Sequence, residues 1–223
     1  MTDYRGTPAA LSLLIASLSL AACGSSTPTA SNAAPAQSGA TATGSSLTVS
    51  GLVTKIKATT GAAGTTCPVA YDIAGAGRAA GLTGAVSPAD DAVDAVTDSS
   101  ATGADFLKKV APAATVQCSY KAGDSTVHLL LVAVSHPNSA MSAALPQVSF
   151  WSGGDLSALT PFIQKVGTAP VGKAVGAPGN KAAVVRLGVD SGDALLAVAV
   201  ETSQSLSADQ LNALTETLSA QVH

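Results

Sequence analysis

Thr115-Val116-Gln117-Cys118-Ser119-Tyr120, then Ala122-Gly123-Asp124, then Thr126-Val127-His128-Leu129-Leu130-Leu131-Val132-Ala133-Val134: this stretch decides the fold. The first run alternates as a strand does. Gly-Asp between two apolar runs marks a hairpin turn. The second run is rich in Leu and Val. Val127, Leu129 and Leu131 share one face, and His128, Leu130 and Val132 share the other. Both faces are mostly apolar, so this strand is expected to be covered on both sides or to face a cavity.

The same pattern returns 69 residues later. Residues 184–189 read as a strand, Ser191-Gly192-Asp193 as the turn and 194–201 as a second strand. Gly123-Asp124 falls on Gly192-Asp193, and Asn138 and Ser207 fall together as helix caps at the same offset. A short helical run follows His136-Pro137-Asn138 and is expected to stop at Leu145, before Pro146. A helix also precedes each hairpin: Phe106-Leu107-Lys108-Lys109-Val110 before the first, Phe162-Ile163-Gln164-Lys165-Val166 before the second. The offset there is 56 rather than 69, so the second half carries extra residues around 171–180, room for one more short strand. Ser207 with Gln210 completes a capping box, and Leu211, Leu214, Leu218 and Val222 follow at helical spacing. Upstream, residues 68–81 read as a helix with Pro68 in its first turn. Ser87-Pro88-Ala89-Asp90 reads as a further helix start. The expected fold class is α+β: an antiparallel sheet with helices packed on it, in two similar helix–hairpin–helix halves.

The chain has 223 residues, and 47–223 form one globular domain with enough length for a core. Only 11% of residues are charged, against about 25% in average globular proteins. A net charge of −3 argues against a nucleic-acid partner, which calls for a basic face. Of three cysteines, Cys67 and Cys118 form an even pair suited to a disulfide in an oxidising compartment. There is no Cys-x-x-Cys.

The third, Cys23, ends Leu20-Ala21-Ala22-Cys23. Residues 1–22 read as a signal peptide. Arg5 lies in the n-region, and the apolar run of about 9–20 is too short to span a ~30 Å hydrocarbon core. Leu-Ala-Ala-Cys is a bacterial lipobox, so Cys23 is the expected lipidation site and the new N-terminus. Each buried methylene of an acyl chain contributes about 0.8 kcal/mol, so two or three chains hold a protein at the membrane. Residues 23–46 then form the lipidated Cys and a Ser/Thr/Ala/Pro tether without charge or large apolar side chains.

Motifs for catalysis are sparse. Gly75-Ala76-Gly77-Arg78 lacks the preceding strand and the following acid of a dinucleotide site, and no cofactor is expected. Asp90, Asp94 and Asp98 would share one helix face, as a solvated surface rather than a cation site. His128, His136 and His223 are scattered, so no metal site is expected, and His128 reads as a packed strand residue. No nucleophile motif is present, and the chain reads as a non-enzyme. Phe150-Trp151 stands out in a chain with one Trp and three Phe. It sits between the halves, either as a core plug or as the anchor of a binding surface, and is the candidate ligand site.

The lipobox, the tether and the low-charge Ala/Val domain with one Cys pair resemble the small envelope lipoproteins of mycobacteria and related actinobacteria. That resemblance implies a lipid-anchored protein on the extracytoplasmic face of the cell membrane, binding lipids or serving as an accessory module without catalysis. The expected function is binding of an envelope protein or an apolar ligand. The alternatives are a lipid carrier with an internal cavity between sheet and helices, and a hydrolase with a cryptic site.

Overall fold

The hairpin around Gly123 lies in a six-stranded antiparallel sheet in a computed structural model of the protein, which describes residues 47–60, 67–97, 113–153, 156–202 and 206–223. Strands β2 (Ala113–Ala122) and β3 (Ser125–Val134) pair without a break from Ala113 opposite Val134 to Ala122 opposite Ser125. β1 (Val86–Thr97) lies outside β2. The second half supplies β4 (Ala174–Gly176), β5 (Ala182–Arg186) and β6 (Asp193–Glu201). The order is β1-β2-β3-β6-β5-β4, which puts the two most apolar strands, β3 and β6, side by side at the centre. Both hairpin turns need glycine. Gly123 has φ +59° and Gly192 φ +84°, and a Cβ would sit 2.5 Å from the Thr83 carbonyl oxygen and 2.4 Å from that of Val134, respectively.

Five α-helices are described: α1 (Val49–Thr60), α2 (Ile73–Ala79), α3 (Ala140–Ser152), α4 (Leu156–Thr168) and α5 (Ala208–Ser219). One face of the sheet, with Val127, Leu129, Leu131 and Leu196, packs under Leu52 and Ile56 of α1, Ile73 of α2 and Leu211, Leu214 and Leu218 of α5. The other face, with Leu130, Val132, Val184 and Leu195, packs under Ala144 and Val148 of α3 and Leu159, Phe162 and Val166 of α4. Each large aliphatic side chain buried this way contributes about 1.5–3 kcal/mol. The two-sided apolar pattern of β3 is thus satisfied by helices on both faces. The helices that follow the two hairpins, α3 and α5, pack on opposite faces.

Several local expectations change. α3 runs through Pro146 instead of ending at Leu145. An interior proline costs about 3 kcal/mol. Burial of Ala140, Met141, Ala144, Val148 and Trp151 along one stripe outweighs that cost. The N-cap position is Ser139, not Asn138. Asn138 takes a left-handed turn at φ +58°, and the first helical N–H, that of Ala140, donates to Asp193 Oδ2 at 2.9 Å. The helix expected from Pro68 begins only at Ile73, because the Asp72 side chain caps it by accepting from Gly75 N at 2.8 Å. The helix start at Ser87-Pro88 is instead strand β1. Ser87 and Pro88 pair with Lys121 and Tyr120, and an edge strand tolerates the missing proline N–H. Asp90 and Asp94 therefore lie on strand β1 and not on a helix. Asp98 and the Phe106–Val110 run lie outside the described residues, as do residues 1–46 with Cys23. β4 is the short extra strand expected near 171–180, and the Ser207–Gln210 capping box is present.

The Cys67 and Cys118 sulfurs lie at disulfide distance, with Cα atoms 5.9 Å apart. The pair ties the segment leading into α2 to strand β2. Among the described residues no helix is long and apolar enough to cross a membrane.

Candidate functional site

The continuation of α3 past Pro146 places Phe150 and Trp151 in its last turn. Trp151 falls on the buried stripe, three residues after Val148, and is 7% exposed. Phe150, one position off that stripe, is 75% exposed. Gly153, at φ +87°, ends the helix just beyond them.

The two aromatics flank a cleft of about 540 Å³ at the ends of β5 and β6, running to Leu206 and Leu211 at the start of α5. Lys181, Glu201 and Asn180 stand along it, with Ala199 and Val200 between. Its walls therefore combine an apolar groove with two charges of opposite sign.

Behind Trp151 is a polar cluster. The His128 ring stacks on the indole, with centroids 6.0 Å apart and planes at 26°. Ser119 is the cross-strand partner of His128, and its Oγ lies 2.9 Å from Nδ1. Glu201, opposite Thr126 on the same sheet face, brings Oε2 to 3.7 Å from His128 Nε2. That nitrogen is buried and has no hydrogen-bond partner among the described residues. Lys121 Nζ donates to Thr126 Oγ1 at 2.8 Å alongside.

Serine, histidine and glutamate in contact invite comparison with a nucleophilic triad. The arrangement does not perform that chemistry. A triad needs a serine open to an incoming carbonyl, with donors for the oxyanion. Ser119 is 1% exposed and lies within the sheet behind the imidazole. What the cluster does is fix the ring of His128, and through it the indole of Trp151.

The remaining candidates scatter. Gly75 and Gly77 lie inside α2, where Gly75 makes room for the Asp72 cap: a Cβ there would sit 2.2 Å from Asp72 Oδ2. His136 and His223 are exposed and are not joined to His128. No metal-holding group of His, Cys, Asp and Glu forms among the described residues. Tyr71 is packed against the core beside α2, with its hydroxyl buried and unpartnered. Burial, and secondarily the charge of Tyr120, raises its pKa well above the ordinary tyrosine value. Burial alone raises that of Tyr120.

Ser119, Lys181 and Glu201 were not singled out by sequence reading. Ser119 was within reach, since closing the hairpin on Gly123 places it opposite His128. Glu201, one of two glutamates in the chain, closes β6. Lys181 had no signal, because its place beside Glu201 depends on β5 pairing with β6.

No protein-family model, no curated protein and no solved structure matches this chain.

Proposed function

We propose that this protein is a lipid-anchored lipoprotein of the extracytoplasmic face of the cell membrane, without catalytic activity, which binds an envelope protein or an apolar ligand at the Phe150–Trp151 cleft. The observation that carries the binding site is the pairing of a 75% exposed Phe150 with a buried Trp151 at the mouth of one cleft. Exposed aromatics beside a packed anchor are what binding hot spots use. Packed helices on both sheet faces favour this surface site over a ligand carried between sheet and helices.

The address rests on sequence. Leu20-Ala21-Ala22-Cys23 ends a leader at residue 22, and 23–46 tether the domain to acyl chains on Cys23. The resemblance to mycobacterial and actinobacterial envelope lipoproteins belongs to the same proposal. So does an internal duplication, supported by two hairpins that turn on Gly123-Asp124 and Gly192-Asp193, 69 residues apart.

The test has two arms. Metabolic labelling with a palmitate analogue is expected to mark the wild type and not Cys23→Ala, which leaves the membrane fraction or accumulates unprocessed. Equal labelling of both rejects the anchor. Phe150→Ser is expected to abolish recovery of whatever native mass spectrometry or crosslinking finds with the wild-type protein. Undiminished recovery removes the cleft from the reading.

A further inference from the structure

We infer that the cleft takes a single-chain amphiphile with a zwitterionic headgroup, one carrying an ammonium and a phosphate as in a lysophospholipid. The inference rests on the cleft being the binding site, and adds the ligand class. Lys181 and Glu201 both line it and sit on neighbouring strand ends, since Val200 N donates to the Lys181 carbonyl at 3.2 Å. Among the described residues no ion pair joins the two. Lys173 pairs with Glu216 at 3.1 Å and Arg186 with Asp193 at 3.8 Å, while Glu201, which reaches His128 Nε2 at 3.7 Å, still keeps its side chain 67% exposed. Lys181 and Glu201 thus present opposite charges toward the same opening. An ammonium meets a carboxylate in Glu201, beside aromatic rings that favour cations. A phosphate meets a point-charge donor in Lys181.

The rest of the cleft suits one chain. Exposed Phe150 and half-buried Leu206 line it, and only the edges of Trp151 and Leu211, from the cores on the two faces of the sheet, reach it. Among the described residues both faces of the sheet are filled by helix side chains, which leave no parallel groove for a second acyl chain. A purely anionic amphiphile such as a fatty acid would satisfy Lys181 and set its own charge against Glu201.

The experiment uses the mature chain, residues 23–223, with Cys23→Ser so that no attached acyl group competes. Trp151 is the only tryptophan and reports on the cleft directly. Lysophosphatidylethanolamine, kept below its micelle concentration, is expected to shift Trp151 emission saturably. Lys181→Ser and Glu201→Gln are each expected to weaken it about two- to fivefold, the range for a partly exposed charge contact. Palmitate and lysophosphatidic acid are expected to bind more weakly than the zwitterion, and Glu201→Gln to narrow that gap. If palmitate binds as tightly as the zwitterion and Glu201→Gln changes nothing, the headgroup assignment is wrong while the apolar site stands. If no amphiphile shifts Trp151, the ligand class is rejected, and the protein-partner form of the proposed function is then decided separately by Phe150→Ser crosslinking.

Discussion

His128 and Trp151 stack across the junction of sheet and helix, with centroids 6.0 Å apart and planes inclined by 26°. The contact gives the two neighbouring aromatics of α3 different duties. Trp151 packs beside His128, which Ser119 holds at 2.9 Å, and at 7% exposure the indole is a structural anchor with little surface left for the cleft. Phe150 has no such backing and faces outward.

Substitution should separate the two. Trp151→Ala removes a buried aromatic and is expected to cost about 3–5 kcal/mol. Phe150→Ser is expected to change stability by no more than about 0.5 kcal/mol. Urea unfolding followed by circular dichroism measures both. Equal destabilisation would show that Phe150 is also a core residue.

Asp193 caps a helix that begins 53 residues earlier in the chain, accepting from Ala140 N at 2.9 Å while 5% exposed. Asp193→Ala leaves that N–H without its acceptor and is expected to cost about 1–3 kcal/mol. Asp193→Asn keeps an acceptor and should cost less. A urea midpoint for Asp193→Asn as low as that of Asp193→Ala would show that the charge, not the hydrogen bond, is what matters.

The Cys67–Cys118 pair closes a loop with a sequence separation of 51. Thiol labelling of the unreduced, denatured protein should find neither residue free. The double variant Cys67→Ala/Cys118→Ala is expected to lose up to about 4 kcal/mol through the larger entropy of its unfolded chain. Stoichiometric labelling of both thiols would remove the bond and this loss together.

Tyr71 predicts how the fold responds to base. Burial raises its pKa in the folded state, with Tyr120 adding to the effect, whereas the unfolded chain ionises it near the ordinary value of about 10. Above that value the unfolded state holds fewer protons than the folded one. Stability from this group is therefore complete below about pH 10 and is lost as pH rises further. Comparing urea midpoints at about pH 8 and about pH 11 should show the fall, and Tyr71→Phe should flatten it. An equal fall in Tyr71→Phe would assign the alkaline loss to other groups, Tyr120 among them.

By itself the sequence determined whatever depends on neighbours along the chain. The hairpin at Gly123 follows from a glycine-bearing turn between two period-two runs, and the capping box at Ser207 from residues three apart. The two-sided burial of β3 follows from Leu and Val on both faces. The helix α1 is equally local in its pattern, with Val49, Leu52, Val53 and Ile56 at helical spacing, but it carries no cap or turn motif as clear as that at Ser207. Tertiary structure decided what local rules would have refused. Pro146 signals a helix end, and only the burial of Ala144, Val148 and Trp151 against β3 and β6 carries α3 through it. Ser87-Pro88 signals a helix start, and only pairing with β2 makes it a strand. Glu201 reaches His128, and Lys181 comes beside Glu201, because β6 pairs with β3 on one side and β5 on the other. Those pairings join residues 20 to 73 positions apart, at which separation side-chain burial and sheet hydrogen bonding, not local preference, set who meets whom.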